Sequence, residues 1–170
     1  MLAVVAALAG LLTPLYSGVR VAANQTATAY SLRKIVDATS QYWADTKLVV
    51  LDGVTTTASE AERFKIEWLF RNPGSGDNTR DFDANTRIGW RGPYLLASTG
   101  DPLVSSTPFM IDAWNQTIVM QDVDSTATLR DVRIVSAGAN GAIDIPATTA
   151  TDALTTLDIG DDIYVALLLQ

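Results

Sequence analysis

The chain of 170 residues contains no histidine and no cysteine, so the commonest general base, the commonest zinc ligand and every thiolate are missing. Two catalytic chemistries are left, a carboxylate pair as in glycoside hydrolysis and a serine activated by lysine. Lys34, Lys47 and Lys65 fall in or near predicted helices, and none stands in a serine motif. Acidic residues are numerous, yet nothing in their spacing sets two of them across a cleft. Asp77, Asp81 and Asp83 could ligate a metal, but scattered aspartates in a polar loop are ordinarily solvated. The residue types therefore point away from an enzyme.

Charge narrows the partners. Twelve basic residues stand against 19 acidic ones, a net of −7, and no basic cluster occurs anywhere. Nucleic acid and anionic lipid surfaces both need clustered Lys and Arg, so neither fits. Absent cysteine also rules out a disulfide framework and a lipoprotein cysteine.

The elements that must position any site begin with MLAVVAALAGLLTPLYSGV, which carries no charge before Arg20. A bilayer core takes roughly 20 apolar residues of helix to cross, and this run is just long enough. Leu2, Val4, Val5, Leu8, Leu11, Leu12, Leu15 and Val19 supply its apolar surface. Pro14 lies inside it and is tolerated where neighbouring helices re-satisfy the freed carbonyl. A cleaved signal peptide would show a basic flank and a small-residue cleavage site, and neither is evident. The run instead continues as helix, and Leu32, Ile35, Val36, Thr39, Tyr42 and Trp43 form one apolar stripe that Tyr30 extends by a turn. Arg33, Lys34, Asp37, Gln41 and Asp45 take the opposite side. A single helix over 1–46 would be roughly 65 Å or more in length, so half of it must protrude from a domain of this size.

Residues 47–170 are enough for one globular domain. KLVVLDG is a short β-branched run. Ser59 and Glu62 stand in capping-box register ahead of a helix that buries Phe64, Trp68 and Leu69 and ends at Asn72 before Pro73. The turn-rich stretch 72–92 reads as a surface excursion. Strands are predicted at 116–121, 130–136 and 163–169, the first two joined by a hairpin-type loop. The first two alternate as half-buried strands do, while the third is apolar throughout and reads as fully covered. The long segment 137–162 reads as a functional or tethered loop.

Four motifs occur in order: Gly92-Pro93-Tyr94-Leu95, Asp112-Ala113-Trp114-Asn115, Ser136-Ala137-Gly138-Ala139-Asn140-Gly141 and Asp161-Asp162-Ile163. Behind this N-terminus they resemble the type IV pilin superfamily, most of all the major pseudopilin of the type II secretion system. Members of that family carry GPYL, then D-P-W-G-N-P-Y, then S-x-G-x-D-G, then a late D-D-I. The resemblance covers nearly the whole chain. It departs from the family in having no acidic residue before Asp37 and a lengthened segment between Ile143 and Asp158. On this resemblance the family start, F-T-L-I-E, would fall just ahead of MLAVV, and Met1 would be an internal methionine.

The resemblance implies an α+β fold, a long N-terminal helix (membrane half plus amphipathic half) packed on a small antiparallel sheet. It implies a structural subunit of a helical pseudopilus, a homopolymer assembled from the inner membrane through the apolar helix of residues 1–22 in protein secretion. Its partners would be copies of itself, the inner membrane, the secretion assembly machinery and a prepilin peptidase that trims and methylates the start. The subunit would face the periplasm, and the filament could reach the outside. The pseudopilins also carry calcium on the C-terminal loop. Carried over by position, Ala137, Asn140, Asp161 and Asp162 would hold it, with Asp144 added on charge and spacing and Asp158 close in sequence. Calcium takes six to eight hard oxygen ligands, some of them backbone carbonyls. Trp114 reads as a packed turn tryptophan, and Asp112 as an acceptor of backbone hydrogens in that turn. Two alternatives stay open: a pilus subunit for adhesion or motility, and a monomeric single-pass membrane-anchored binding domain.

Overall fold

The computed structural model describes residues 2–46, 66–72, 81–96, 110–123 and 131–167. A single helix, α1 (Leu2–Thr46), runs 45 residues without a break, and side chains are described from Ser17 onward. The apolar side chains from Leu2 to Leu15, Pro14 among them, lie outside the described residues. So do the 47–53 run, the Ser59–Glu62 capping box, Phe64, Asp77, the first residue of the second predicted strand and the last two of the third.

Three strands follow: β1 (Val119–Asp122), β2 (Val132–Ser136) and β3 (Ile163–Leu167). They form one antiparallel sheet in the order β1-β2-β3. Val119 pairs with Val135 and Gln121 with Arg133 on one side of β2, and Ile134 pairs with Val165 on the other. The chain is thus α+β, with an N-terminal helix packed on a small antiparallel sheet.

Alternation along β2 explains how the sheet is covered. Val132 and Ile134 point to α1 and join Leu32, Ile35, Ala38, Tyr42 and Trp43 in the core, together with Trp68, Leu69, Ile118 and Leu167. Arg133 points the other way, where residues 145–151 cross the opposite face. All five β2 side chains are therefore buried, and β3 is only partly covered. β1 is partly buried where its side chains are described, as expected, but β2 is fully buried rather than half-buried and β3 is not the fully covered strand. β2 is central and covered on both faces, whereas β3 is an edge strand.

The helix stripe is also corrected at its ends. Tyr30 is 62 % exposed and does not extend the stripe, and from Ser17 onward the first buried side chain is Thr28. Lys34 Nζ lies 4.6 Å from the centre of the Tyr30 ring. Asp45 is not on the solvent side. It ties down the end of the excursion and the residues that follow it: its carbonyl accepts from Gly89 N at 2.9 Å, and its carboxylate accepts from Tyr94 Oη at 3.1 Å. The described part of the helix expected to end at Asn72 is a single 3-10 turn, Ile66–Leu69. Leu69 O there accepts from both Tyr94 N and Leu95 N.

Segment 137–162 is not a bare loop. It holds a 3-10 turn (Thr151–Ala153) and a short helix, α2 (Thr156–Ile159). Thr155 and Asp158 cap α2 reciprocally, so Asp158 is held by its own helix start.

Candidate functional site

The end of β2 delivers Ser136 and Ala137, both buried, to the top of the sheet. There Gly138 turns the chain with φ +62°, and a Cβ on it would lie 2.1 Å from the Asp161 carbonyl oxygen. Only glycine allows the two segments to approach so closely. The contact brings the start of the loop against its end.

The carboxylates at that crossing are used as follows. Asp161 Oδ2 accepts from Asn140 N at 2.8 Å. Asn140 Nδ2 donates to Asp144 Oδ2 at 2.9 Å, and Asn140 Oδ1 accepts from Ala142 N at 2.6 Å. Asp162 Oδ2 accepts from Asp144 N at 2.7 Å and from Ile145 N at 2.8 Å. Asn140, Asp144, Asp161 and Asp162 thus share one hydrogen-bonded crossing, with Ala137 buried one residue ahead of it. Asp158 does not join, because Thr155 N and Thr155 Oγ1 donate to its carboxylate. Those hydrogen bonds hold it below the usual carboxylate range.

Asp162 is the informative member. Its residue is 6 % exposed, and its Oδ1 is buried with no hydrogen-bond partner. Burial pushes its carboxyl up, and the charges of Asp144 and Asp161 add to this against the two backbone donors. A buried carboxylate oxygen without a partner, beside two further carboxylates and an amide oxygen, is an all-oxygen donor set that suits a hard cation. Among the described residues, however, no group of three or more acidic side chains stands arranged to hold a metal ion. Any cation here would need backbone carbonyls or a shift of Asp144 and Asp161.

The other motifs have structural work. Asp112 Oδ1 accepts from Trp114 N and Gln116 N, both at 2.8 Å, and its Oδ2 accepts from Ser136 Oγ at 2.6 Å. Ala113 N donates to Thr28 Oγ1 on α1 at 3.1 Å. The turn that Trp114 occupies is therefore a fastener between helix and sheet, and Trp114 itself is half-buried. In the Gly92-Pro93-Tyr94 motif, a Cβ on Gly92 would meet the Tyr94 and Trp90 rings at under 3 Å. Tyr94 stacks edge-on against Tyr42, ring centres 5.7 Å apart. Burial, with Asp45 beside it, pushes the Tyr94 hydroxyl up to about 12. Asp81 and Asp83 lie exposed, occupied by Asn72 Nδ2 and Asn85 N.

No family model, no curated protein and no solved structure matches the chain. Among the described residues no helix is long and apolar enough to cross a membrane.

One cluster was not anticipated from sequence. Arg133 is fully buried on β2 and donates to Gln121 Oε1, Thr149 O, Pro146 O and Thr151 Oγ1. Burial lowers its pKa, which the nearby Asp131 partly offsets. Asp131 in turn accepts from Thr151 N and Thr151 Oγ1. Arg133, set between Val132 and Ile134 in the strand RDVRIVS, was the available signal.

Proposed function

We propose that this chain is the structural subunit of a helical, type IV pilus-like filament, a pseudopilus built from the inner membrane. The observation that carries the reading is the unbroken α1. Its second half is docked on the sheet, while residues 17–27 stand out from the domain with every side chain but Asn24 exposed. The sequence ahead of Ser17 has no charge. A helix that leaves its domain and turns uncharged needs an apolar surrounding, which lipid supplies before assembly and identical helices supply after it. Exchanging one for the other loses little burial. Head-to-tail contacts of this kind do not close, so the product is an open filament.

In this reading the protein is mechanical rather than catalytic, and it faces the periplasm. Its partners are its own copies, the assembly machinery and a prepilin peptidase. The C-terminal crossing would hold calcium through Asp162, Asp144, Asp161, Asn140 and carbonyls including that of Ala137. A bound calcium would supply charge neutralisation there and fix the loop to the end of β2. The buried, partnerless Asp162 Oδ1 supports that assignment.

Shearing cells that make the protein and imaging the released material by electron microscopy tests the filament. Thin polymers composed of this chain are expected, and a subunit found solely as membrane-bound monomer would overturn the reading. Calcium is tested by melting the full chain with calcium and with a chelator. Calcium at about 100 times its Kd stabilises by about 2.7 kcal/mol, a rise of several degrees. Asp144→Asn is expected to remove that rise. An unchanged melting temperature in the wild-type chain would remove calcium from the account.

A further inference from the structure

Asn140-Gly141 is the sole Asn-Gly pair among the six asparagines of the chain, and both residues are exposed to water. Glycine after asparagine leaves the next peptide nitrogen unhindered. Gly141 has φ +75°, and a Cβ on it would press against the Gln116 amide at 3.3 Å, so the unhindered residue is also the one this turn requires. The Asn140 side chain is already folded over that peptide. Its Oδ1 accepts from Ala142 N at 2.6 Å, which holds the amide against the backbone that follows it. That donor also sits where negative charge would develop on the amide oxygen under attack.

We propose that Asn140-Gly141 is a site of spontaneous deamidation that changes what holds the C-terminal crossing together. Gly141 N gives up its proton to solvent and bonds to the Asn140 side-chain carbon. The bond from that carbon to Nδ2 then breaks, and Nδ2 takes up a proton and leaves as ammonia. The resulting five-membered imide is opened by one water. Cleavage of its side-chain carbonyl-to-nitrogen bond gives aspartate at 140, and cleavage on the backbone side gives isoaspartate. One water is consumed and one ammonia released, with no change of oxidation state.

The consequence follows from the contact that is lost. Asn140 Nδ2 now donates to Asp144 Oδ2 at 2.9 Å, an attraction that closes the loop. After deamidation two carboxylates face each other at that distance, and like charges so close cannot both ionise at ordinary cost. Asp161 and Asp162 stand beside them. The fresh loop is closed by hydrogen bonds, whereas the aged loop opens unless a divalent cation bridges the carboxylates. This second half rests on the cation reading of the same crossing, and the deamidation itself does not.

Freshly purified full-length protein is incubated at neutral pH and mapped by peptide mass spectrometry, with enzymatic methylation to detect isoaspartate. A gain of about 1 Da confined to the 140–141 peptide is expected, while Asn24, Asn72, Asn85 and Asn115 stay amidated. An Asn140 that stays amidated as long as those four would overturn the proposal. Gly141→Ala is expected to slow the conversion severalfold. Because that variant strains the turn, Asn140→Asp provides the second readout. In chelator it is expected to melt several degrees below wild type, and equal melting would overturn the loop-opening half. Added calcium is expected to raise Asn140→Asp more than fresh wild type. Conversion at Asn140 with no calcium shift in either protein would retain the deamidation and overturn the cation half.

Discussion

Gln121 and Arg133 pair across β1 and β2, and Arg133 Nε donates to Gln121 Oε1 at 2.7 Å while Gln121 Nε2 donates to Ile145 O at 3.1 Å. The two side chains thus carry the C-terminal segment across the face of the sheet that α1 does not cover. Residues 145–151 are held by an arginine with four acceptors and, among the described residues, no directly bonded carboxylate. The charge is buried, so its fork must be filled or the strand must open.

Arg133→Met should therefore cost about 3 kcal/mol, since it strands Gln121 Oε1 and the carbonyls of Pro146 and Thr149. Urea unfolding measures the loss. Hydrogen exchange should locate it, with protection falling first at Ile145 and Thr151. Arg133→Lys should recover little, because a lysine cannot present the planar fork.

Asp112 and Ser136 form a second fastener. Asp112→Ala leaves Trp114 N, Gln116 N and the Ser136 hydroxyl without their acceptor and should cost about 2–3 kcal/mol. Ser136→Ala should cost about 1 kcal/mol. The double variant should fall short of the sum, and a thermodynamic cycle by chemical denaturation reads the coupling.

Tyr94 gives the fold a dependence on alkaline pH. Its hydroxyl sits at about 12 in the folded chain against 10.0 when exposed. Above pH 10 the unfolded chain releases this proton and the folded chain keeps it. The contribution is thus fully present below pH 10 and is lost as pH rises toward 12. Tyr94→Phe should lower stability at pH 8 by about 1 kcal/mol through the Asp45 and Arg91 hydrogen bonds. It should also flatten the fall between pH 10 and 12, as followed by denaturant midpoint.

The parts legible in sequence were those governed by one period and one neighbour. Leu32, Ile35, Thr39, Tyr42 and Trp43 recur at helical spacing, and all are buried. β2 and β3 lie within their predicted spans, and β1 starts three residues later and ends one residue later than predicted. What was hidden depends on tertiary cover. β2 and β3 cannot be ranked for burial from their own letters, because the cover of β2 comes from α1 on one face and from residues 145–151 on the other. Asp45 reads as a solvent-facing helix residue until Gly89, Arg91 and Tyr94 arrive from 44 or more positions away. At the candidate site Asn140, Asp161 and Asp162 were expected together from the motif resemblance and Asp144 from charge and spacing, and hydrogen bonds join all four. The orphaned Asp162 oxygen does not, since it depends on how tightly Gly138 lets Asp161 approach.

The central claim is that the protruding half of α1 is a subunit interface, and Val19 tests it most directly. Val19 is 68 % exposed on the isolated subunit, so Val19→Asp should leave folding unchanged by circular dichroism and thermal melting. Inside a bundle of identical helices the same charge would be desolvated at a cost of several kcal/mol. In-cell cross-linking of wild-type chain should give a ladder extending far beyond the dimer, and the variant should give monomer alone. An equally long ladder from Val19→Asp, or no ladder from the wild-type chain, would contradict the account.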